Sequence, residues 1–99
     1  MALMEISVVP LGTGEPGVGA YVAEIAKYLK ENAVPHTLTD MGTIIEGDIG
    51  QLLELARVLH EMPFQRKVWR VVTHIAIDDR RDKKVHLEDK TKAVMRRLS

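Results

Sequence analysis

The stretch Met41-Gly42-Thr43-Ile44-Ile45-Glu46-Gly47 places a hydroxyl, Thr43, and a carboxylate, Glu46, on one short segment. Carboxylates are depleted in strands and seldom buried without a partner. Glu46 therefore reads in one of two ways. It is a strand-end group reaching solvent or Arg70, or it receives a cation or an amine-bearing ring. Thr43 would add one donor and two acceptors nearby. A second candidate, Gly12-Thr13-Gly14-Glu15-Pro16-Gly17, spells a dinucleotide fingerprint, with Asp40 following at about the distance of a ribose-binding acid. Three features oppose that reading. Pro10 and Leu11 separate the glycines from the preceding strand, Glu15 would set a carboxylate beside a pyrophosphate, and the chain is too short for the required sheet. The plainer readings are a flexible loop whose glycines permit unusual dihedrals, or backbone amides near a helix start that hold phosphate or sulfate.

Other chemistry is thinly represented. The four histidines, His36, His60, His74 and His86, show no paired spacing, and with no cysteine present no metal site is expected. No Ser-His-Asp order and no paired-carboxylate geometry can be argued, so an enzyme is not expected. The run Ile77-Asp78-Asp79-Arg80-Arg81-Asp82 alternates charges. It reads as a solvated loop, or as Asp78 and Arg80 fixing a strand exit or pairing across a subunit contact.

The elements that must position these groups follow from periodicity. Leu3 to Val9 alternates as a strand that Pro10 stops. Leu11 to Gly19 is a glycine-rich loop. Val18, Tyr21, Val22, Ile25, Tyr28 and Leu29 then fall on one helical stripe. His36 to Asp40 and Thr43 to Gly47 are two short strands around a Met41-Gly42 turn. Asp48 stands at the N-cap of a helix with Ile49, Leu52, Leu53, Ala56 and Leu59 inward, ended by Met62-Pro63. Val68 to Asp78 is the longest strand, with Trp69, Val71, Thr73, Ile75 and Ile77 on one face; both faces are apolar enough to be covered. A last helix is expected from His86 to Leu98, with Leu87, Thr91, Val94 and Leu98 inward. This order predicts an α+β class: a ferredoxin-like βαββαβ sandwich with a four-stranded antiparallel sheet plus a C-terminal helix. Two helices cover one sheet face. The other, carrying Ser7, Val9, Arg70, Val72, His74 and Ala76, is left for a partner.

Composition narrows the function classes. At 99 residues, with 45% hydrophobic and 28% charged, the chain reads as one globular domain, 1–99, rather than a disordered segment. Fourteen basic residues balance 14 acidic ones, so the basic excess of a nucleic-acid binder is missing. The aromatics, Tyr21, Tyr28, Phe64 and Trp69, avoid the two central strands on which an RNA-recognition sheet displays them. An acyl-phosphate hydrolase of this scaffold wants an Arg in the loop after the first strand, and that loop has none. No apolar run approaches the roughly 20 residues of a membrane span, and Met1 to Val9 lacks the basic start of a signal peptide. A cytoplasmic location and no membrane partner are expected.

Four segments together, Ser7-Val8-Val9-Pro10-Leu11-Gly12, Tyr21-Val22-Ala23, Met41 to Gly47 and Ile75-Ala76-Ile77-Asp78-Asp79-Arg80-Arg81, resemble the YkoF-like thiamine-binding protein family. The resemblance spans nearly the whole chain. It implies a ferredoxin-like fold, a homodimer by sheet packing and a homotetramer of two dimers. It also implies non-catalytic binding of thiamine or its hydroxymethylpyrimidine part near subunit interfaces, with no required cofactor. Carried over residue by residue, it assigns Ser7, Thr43 and Glu46 as polar pocket residues and Pro10, Gly12 and Thr13 as the pocket edge. Asp78 and Arg80 match the family pattern, and with Arg70 and His74 they form the structural or interface set. The loop after Pro10 departs from the family, which often carries serines there; this chain reads Gly-Thr-Gly-Glu-Pro-Gly-Val-Gly. Thiamine offers a cationic thiazolium and an aminopyrimidine edge. Glu46 would serve either, with Trp69 or a tyrosine stacked on a ring. The competing expectation is a structural or regulatory homo-oligomer with incidental sulfate or phosphate binding.

Overall fold

Alternation along the first segment builds the central strand. Ala2, Met4, Ile6 and Val8 are buried on one face, while Leu3, Glu5, Ser7 and Val9 look to the other. The computed structural model describes residues 1–14 and 17–99. In it the strands are β1 (Ala2–Leu11), β2 (His36–Leu38), β3 (Thr43–Gly47) and β4 (Arg70–Asp79), and the α-helices are α1 (Gly19–Glu31), α2 (Ile49–Glu61) and α3 (Asp89–Leu98). A short 3-10 turn, Met62–Arg66, links α2 to the approach to β4. The sheet order is β2-β3-β1-β4, every neighbouring pair antiparallel. This is the expected ferredoxin-like α+β arrangement. No helix among the described residues is long and apolar enough to cross a membrane.

Pro10 does not stop β1 as expected. The pairing with β3 ends at Ile6 opposite Thr43, whereas the pairing with β4 continues to Leu11 opposite Arg70. Pro10 thus lies where one edge of β1 has no strand beside it, a place where a missing N–H is tolerated. Ile25 and Leu29 of α1 and Leu52, Leu55, Ala56 and Leu59 of α2 close over Met4, Ile6, Val8 and Ile45. Each such aliphatic side chain contributes roughly 1.5–3 kcal/mol on burial. Asp48 does occupy the N-cap of α2, with extended backbone, but its side chain makes no capping bond; its carbonyl accepts from Leu52 N at 2.9 Å.

The C-terminal third departs most from expectation. β4 begins at Arg70, so Trp69 falls outside it and is 92% exposed. The helix-side row of β4 beyond Thr73, Ile75 and Ile77, also stays in solvent, so neither face of this strand is fully covered within one chain. Glu88 adopts a left-handed φ of 70°, which a helix cannot pass through, so α3 starts at Asp89 rather than His86. None of its residues is buried: Thr91, Val94 and Leu98 face solvent, and only Leu87, ahead of the helix, is half-buried. α3 thus extends from the sheet without a buried face of its own. The radius of gyration is accordingly 14.8 Å, against about 13 Å for a compact domain of this length.

The segment before α3 also changes the second sheet face. His86 and Leu87 reach Glu46 on that face, beside a hollow lined by Leu3, Thr37 and Ile44. One end of the face is therefore covered by this chain itself. Ser7, Val9, Arg70, Val72, His74 and Ala76, at the other end, share the uncovered part, as the strand register requires.

Candidate functional site

Where β3 ends and β1 continues, the free edge of β1 becomes one wall of a cavity of about 330 Å³. Ile6 to Val9 supply that wall. Val18, Val22 and Ile25 come from the start of α1, and Leu38 to Thr43 from the β2–β3 connection. The connection is tied by Thr39, whose backbone N–H and hydroxyl both donate to the Gly42 carbonyl at 2.8 Å; its Oγ1 accepts from Met41 N and Gly42 N at 3.2 Å. Gly42 is required there because a Cβ would stand 2.8 Å from the Ile6 carbonyl oxygen. The cavity is mostly apolar, with hydroxyls at Thr39 and Thr43 and one carboxylate, Asp40; Ser7 borders it from the free edge of β1, on the strand row that faces the uncovered side of the sheet. Thr43 is 6% exposed, held at the end of β3 by its pairing with Ile6. Sites for small ligands commonly combine apolar walls with a few placed polar groups in this way.

The structure separates residues that the sequence suggests would act together. Thr43 faces the helices, whereas Glu46 faces the opposite side of the sheet with Ile44. The expected hydroxyl–carboxylate pair on β3 is therefore corrected: three residues apart on a strand puts the two side chains on opposite faces. Glu46 is engaged within the chain. Its Oε1 lies 2.8 Å from His86 Nδ1 and accepts from Leu87 N at 3.1 Å, and its side chain is 12% exposed. It does not reach Arg70. Glu46 lies opposite Leu3 and Arg70 opposite Leu11, eight positions apart along β1, or about 25 Å at strand rise. Ser7 lines the cavity and stands directly across from His74 on the uncovered sheet face.

Pro10 is buried within β1 and lines no cavity described here. Gly12 and Thr13 border a different hollow, beyond the end of β1, together with Tyr21 and Trp69. No tyrosine or tryptophan lines the cavity of Ser7 and Thr43, so the expected ring stacking does not occur in that place. Gly12 and Gly14 adopt φ of 73° and 79°, conformations that favour glycine. Glu15 and Pro16 of the fingerprint lie outside the described residues.

Asp78 and Arg80 are engaged within the chain. Lys90 Nζ donates to Asp78 Oδ2 at 2.5 Å, fixing the strand exit to α3, and Arg80 grips Asp82 at 2.6 and 3.0 Å. Arg81 donates to Asp79 at 2.8 Å. These guanidinium hydrogen bonds hold the Asp79 and Asp82 carboxyls below the ordinary carboxylate range. Among the described residues, no group of three or more His, Asp or Glu side chains gathers as a metal-binding set. Asp40 is the site residue that sequence reasoning did not assign to a pocket. Its place in a turn directly before Met41-Gly42 was the available signal, because such a turn projects its side chains past the end of β3.

Comparison with known proteins agrees with this architecture. The family model described as thiamine-binding protein matches residues 4–95. The chain is 43% identical over 102 residues to the UPF0045 protein YqgV of Bacillus subtilis, covering 99% of this chain and 98% of that one. It is 36% identical over 99 residues to a UPF0045 protein of Methanothermobacter thermautotrophicus, covering 99% and 100%. The crystal structure of MJ1052 from Methanocaldococcus jannaschii superposes with a TM-score of 0.81 at 33% identity, covering 95% of each chain. A candidate thiamine biosynthesis/salvage protein from Thermotoga maritima shares the fold, with a TM-score of 0.76 at 15% identity over 94% of this chain and 97% of that one. With the match running through both the strands and the turn that shape the cavity, the chain belongs to the thiamine-binding protein family.

Proposed function

We propose that this chain is a non-catalytic binder of thiamine or its hydroxymethylpyrimidine part, acting in the cytoplasm as a homo-oligomer assembled through the uncovered end of its sheet. The observation that carries the reading is the cavity of about 330 Å³ between β1, α1 and the β2–β3 turn. Its apolar walls suit a ring. Its Thr43 hydroxyl suits an aminopyrimidine edge, which both donates and accepts. Asp40 at the rim supplies the single carboxylate for a thiazolium cation, the role that Glu46 cannot fill while His86 and Leu87 hold it. Membership of the thiamine-binding family supports the ligand class. The apolar positions Val9, Val72 and Ala76 on the uncovered face support assembly of copies through it. Isothermal titration with thiamine and with hydroxymethylpyrimidine tests the reading. Saturable heat with at least one of them is expected. Folded protein that gives no heat with millimolar amounts of either would contradict it.

A further inference from the structure

Past the end of β1, a second hollow of about 440 Å³ lies between the glycine loop and the turn entering β4. Among the described residues its walls carry three cations, Arg66, Lys67 and Arg70, and no carboxylate. In a chain of zero formal charge this is a local excess of one sign. Arg66 is held in place: its Nε donates to Glu24 Oε1 at 2.6 Å, and its guanidinium carbon stands 5.6 Å from the centre of the Tyr21 ring. Glu24 thus offsets one of the three charges. Among the described residues, no carboxylate forms an ion pair with Lys67 or Arg70. Between these two cations sits Trp69, the single tryptophan of the chain, with its side chain almost wholly in water. Across from them Gly12, at φ 73°, leaves open space where a Cβ would stand, so loop backbone can approach a bound group closely.

We propose that this hollow binds the phosphoryl group of a small aromatic phosphate ester, with Lys67 and Arg70 on the oxyanion and Trp69 against the ring. A guanidinium forks onto two phosphate oxygens, and an ammonium adds a point charge. An exposed indole offers the flat apolar surface that a ring needs. The ligand class is independent of the thiamine reading, since a bare thiazolium cation is repelled by these side chains; the site rests on Arg70, at the last pair of the uncovered face, staying outside the contact proposed for assembly.

The only tryptophan lies inside the proposed site, so its fluorescence reports on that site directly. Titration with inorganic pyrophosphate and with adenosine monophosphate is expected to change Trp69 emission saturably, with the nucleotide binding more tightly because it adds the ring. Both affinities should fall as salt rises. The Lys67→Gln, Arg70→Gln double variant should weaken the nucleotide by about tenfold or more, the scale of a lost charged hydrogen bond. The single variant Arg70→Gln, replacing an exposed side chain at the start of β4, provides the same comparison if the double variant fails to fold. Unchanged emission from folded protein at millimolar levels of both probes overturns the proposal. So does equal affinity in the parent and the folded variants. Response to a short single-stranded oligonucleotide at much lower concentration than to adenosine monophosphate also overturns it, because the surface would then be reading a nucleic-acid strand.

Discussion

Replacing Gly42 by alanine places a methyl group 2.8 Å from the Ile6 carbonyl oxygen, 3.4 Å from its carbonyl carbon and 3.6 Å from Glu5 Cγ. The first two are backbone atoms of the central strand, paired on both sides, so they cannot swing away. The turn must move instead, by several tenths of an ångström. It is held by the hydrogen bonds that Thr39 makes to both its carbonyl and its amides. Overpacking of this kind costs roughly 1–3 kcal/mol. For a domain of this size each kcal/mol shifts the melting midpoint by about 4–8 °C, so a fall of roughly 5–20 °C is expected. The same displacement widens the cavity beside Thr43, so any ligand seated there should bind more weakly. Gly50→Ala is the matched control. That glycine lies in α2 with nothing within 4 Å of the added methyl group, and the change should stabilise by up to about 1 kcal/mol. Thermal unfolding followed by circular dichroism measures both. A Gly42→Ala protein that melts at or above the parent would refute the close-approach reasoning.

Thr43→Val keeps the shape of the residue and removes its hydroxyl; thiamine affinity should fall by about three- to tenfold, read by titration calorimetry, if that hydroxyl bonds the ligand at roughly 0.5–1.5 kcal/mol. Glu46→Ala removes the acceptor for His86 and Leu87, and native-state hydrogen exchange at the Leu87 amide should rise as that segment leaves the sheet. If copies assemble through the uncovered face as proposed, Val72→Glu, a charge in the middle of it, should sediment as monomer where the parent associates, with the fold intact. Arg81→Gln should let the Asp79 carboxyl titrate at higher pH, measured by carbon-detected NMR. A depressed carboxyl favours the fold above its unfolded pKa, and that contribution is lost as pH falls through the folded value.

The sheet and its two packed helices were legible in the sequence because each buries one clean periodic face. The alternation from Ala2 to Val8 and the four buried residues of α2 needed no tertiary knowledge. The end of β1 is not legible locally, since whether a proline interrupts a strand depends on which neighbours still flank it, and that is set by where β3 begins. The stripe on α3 correctly announces an amphipathic helix, but a stripe says nothing about whose surface it meets. Within one chain it meets none. The site was half legible. Ser7 and Thr43 both border one cavity, from opposite rows of the strand alternation. Glu46 shares its strand with Thr43, but the two-residue period sends it to the other face, where a segment forty residues away in sequence claims it. Asp40 is not recognisable as a pocket residue from sequence because the cavity it borders is built largely from β1 and α1.

Backbone amide NMR of the protein titrated with thiamine tests the central claim most directly, because it locates the ligand as well as detecting it. Saturable shifts concentrated at Ser7, Val22, Asp40, Gly42 and Thr43, with Glu46 and Leu87 unmoved, are the predicted result. Shifts concentrated at Glu46, His86 and Leu87, or no shifts at all from folded protein at millimolar thiamine, would contradict the assignment of the ligand to the cavity between β1, α1 and the β2–β3 turn.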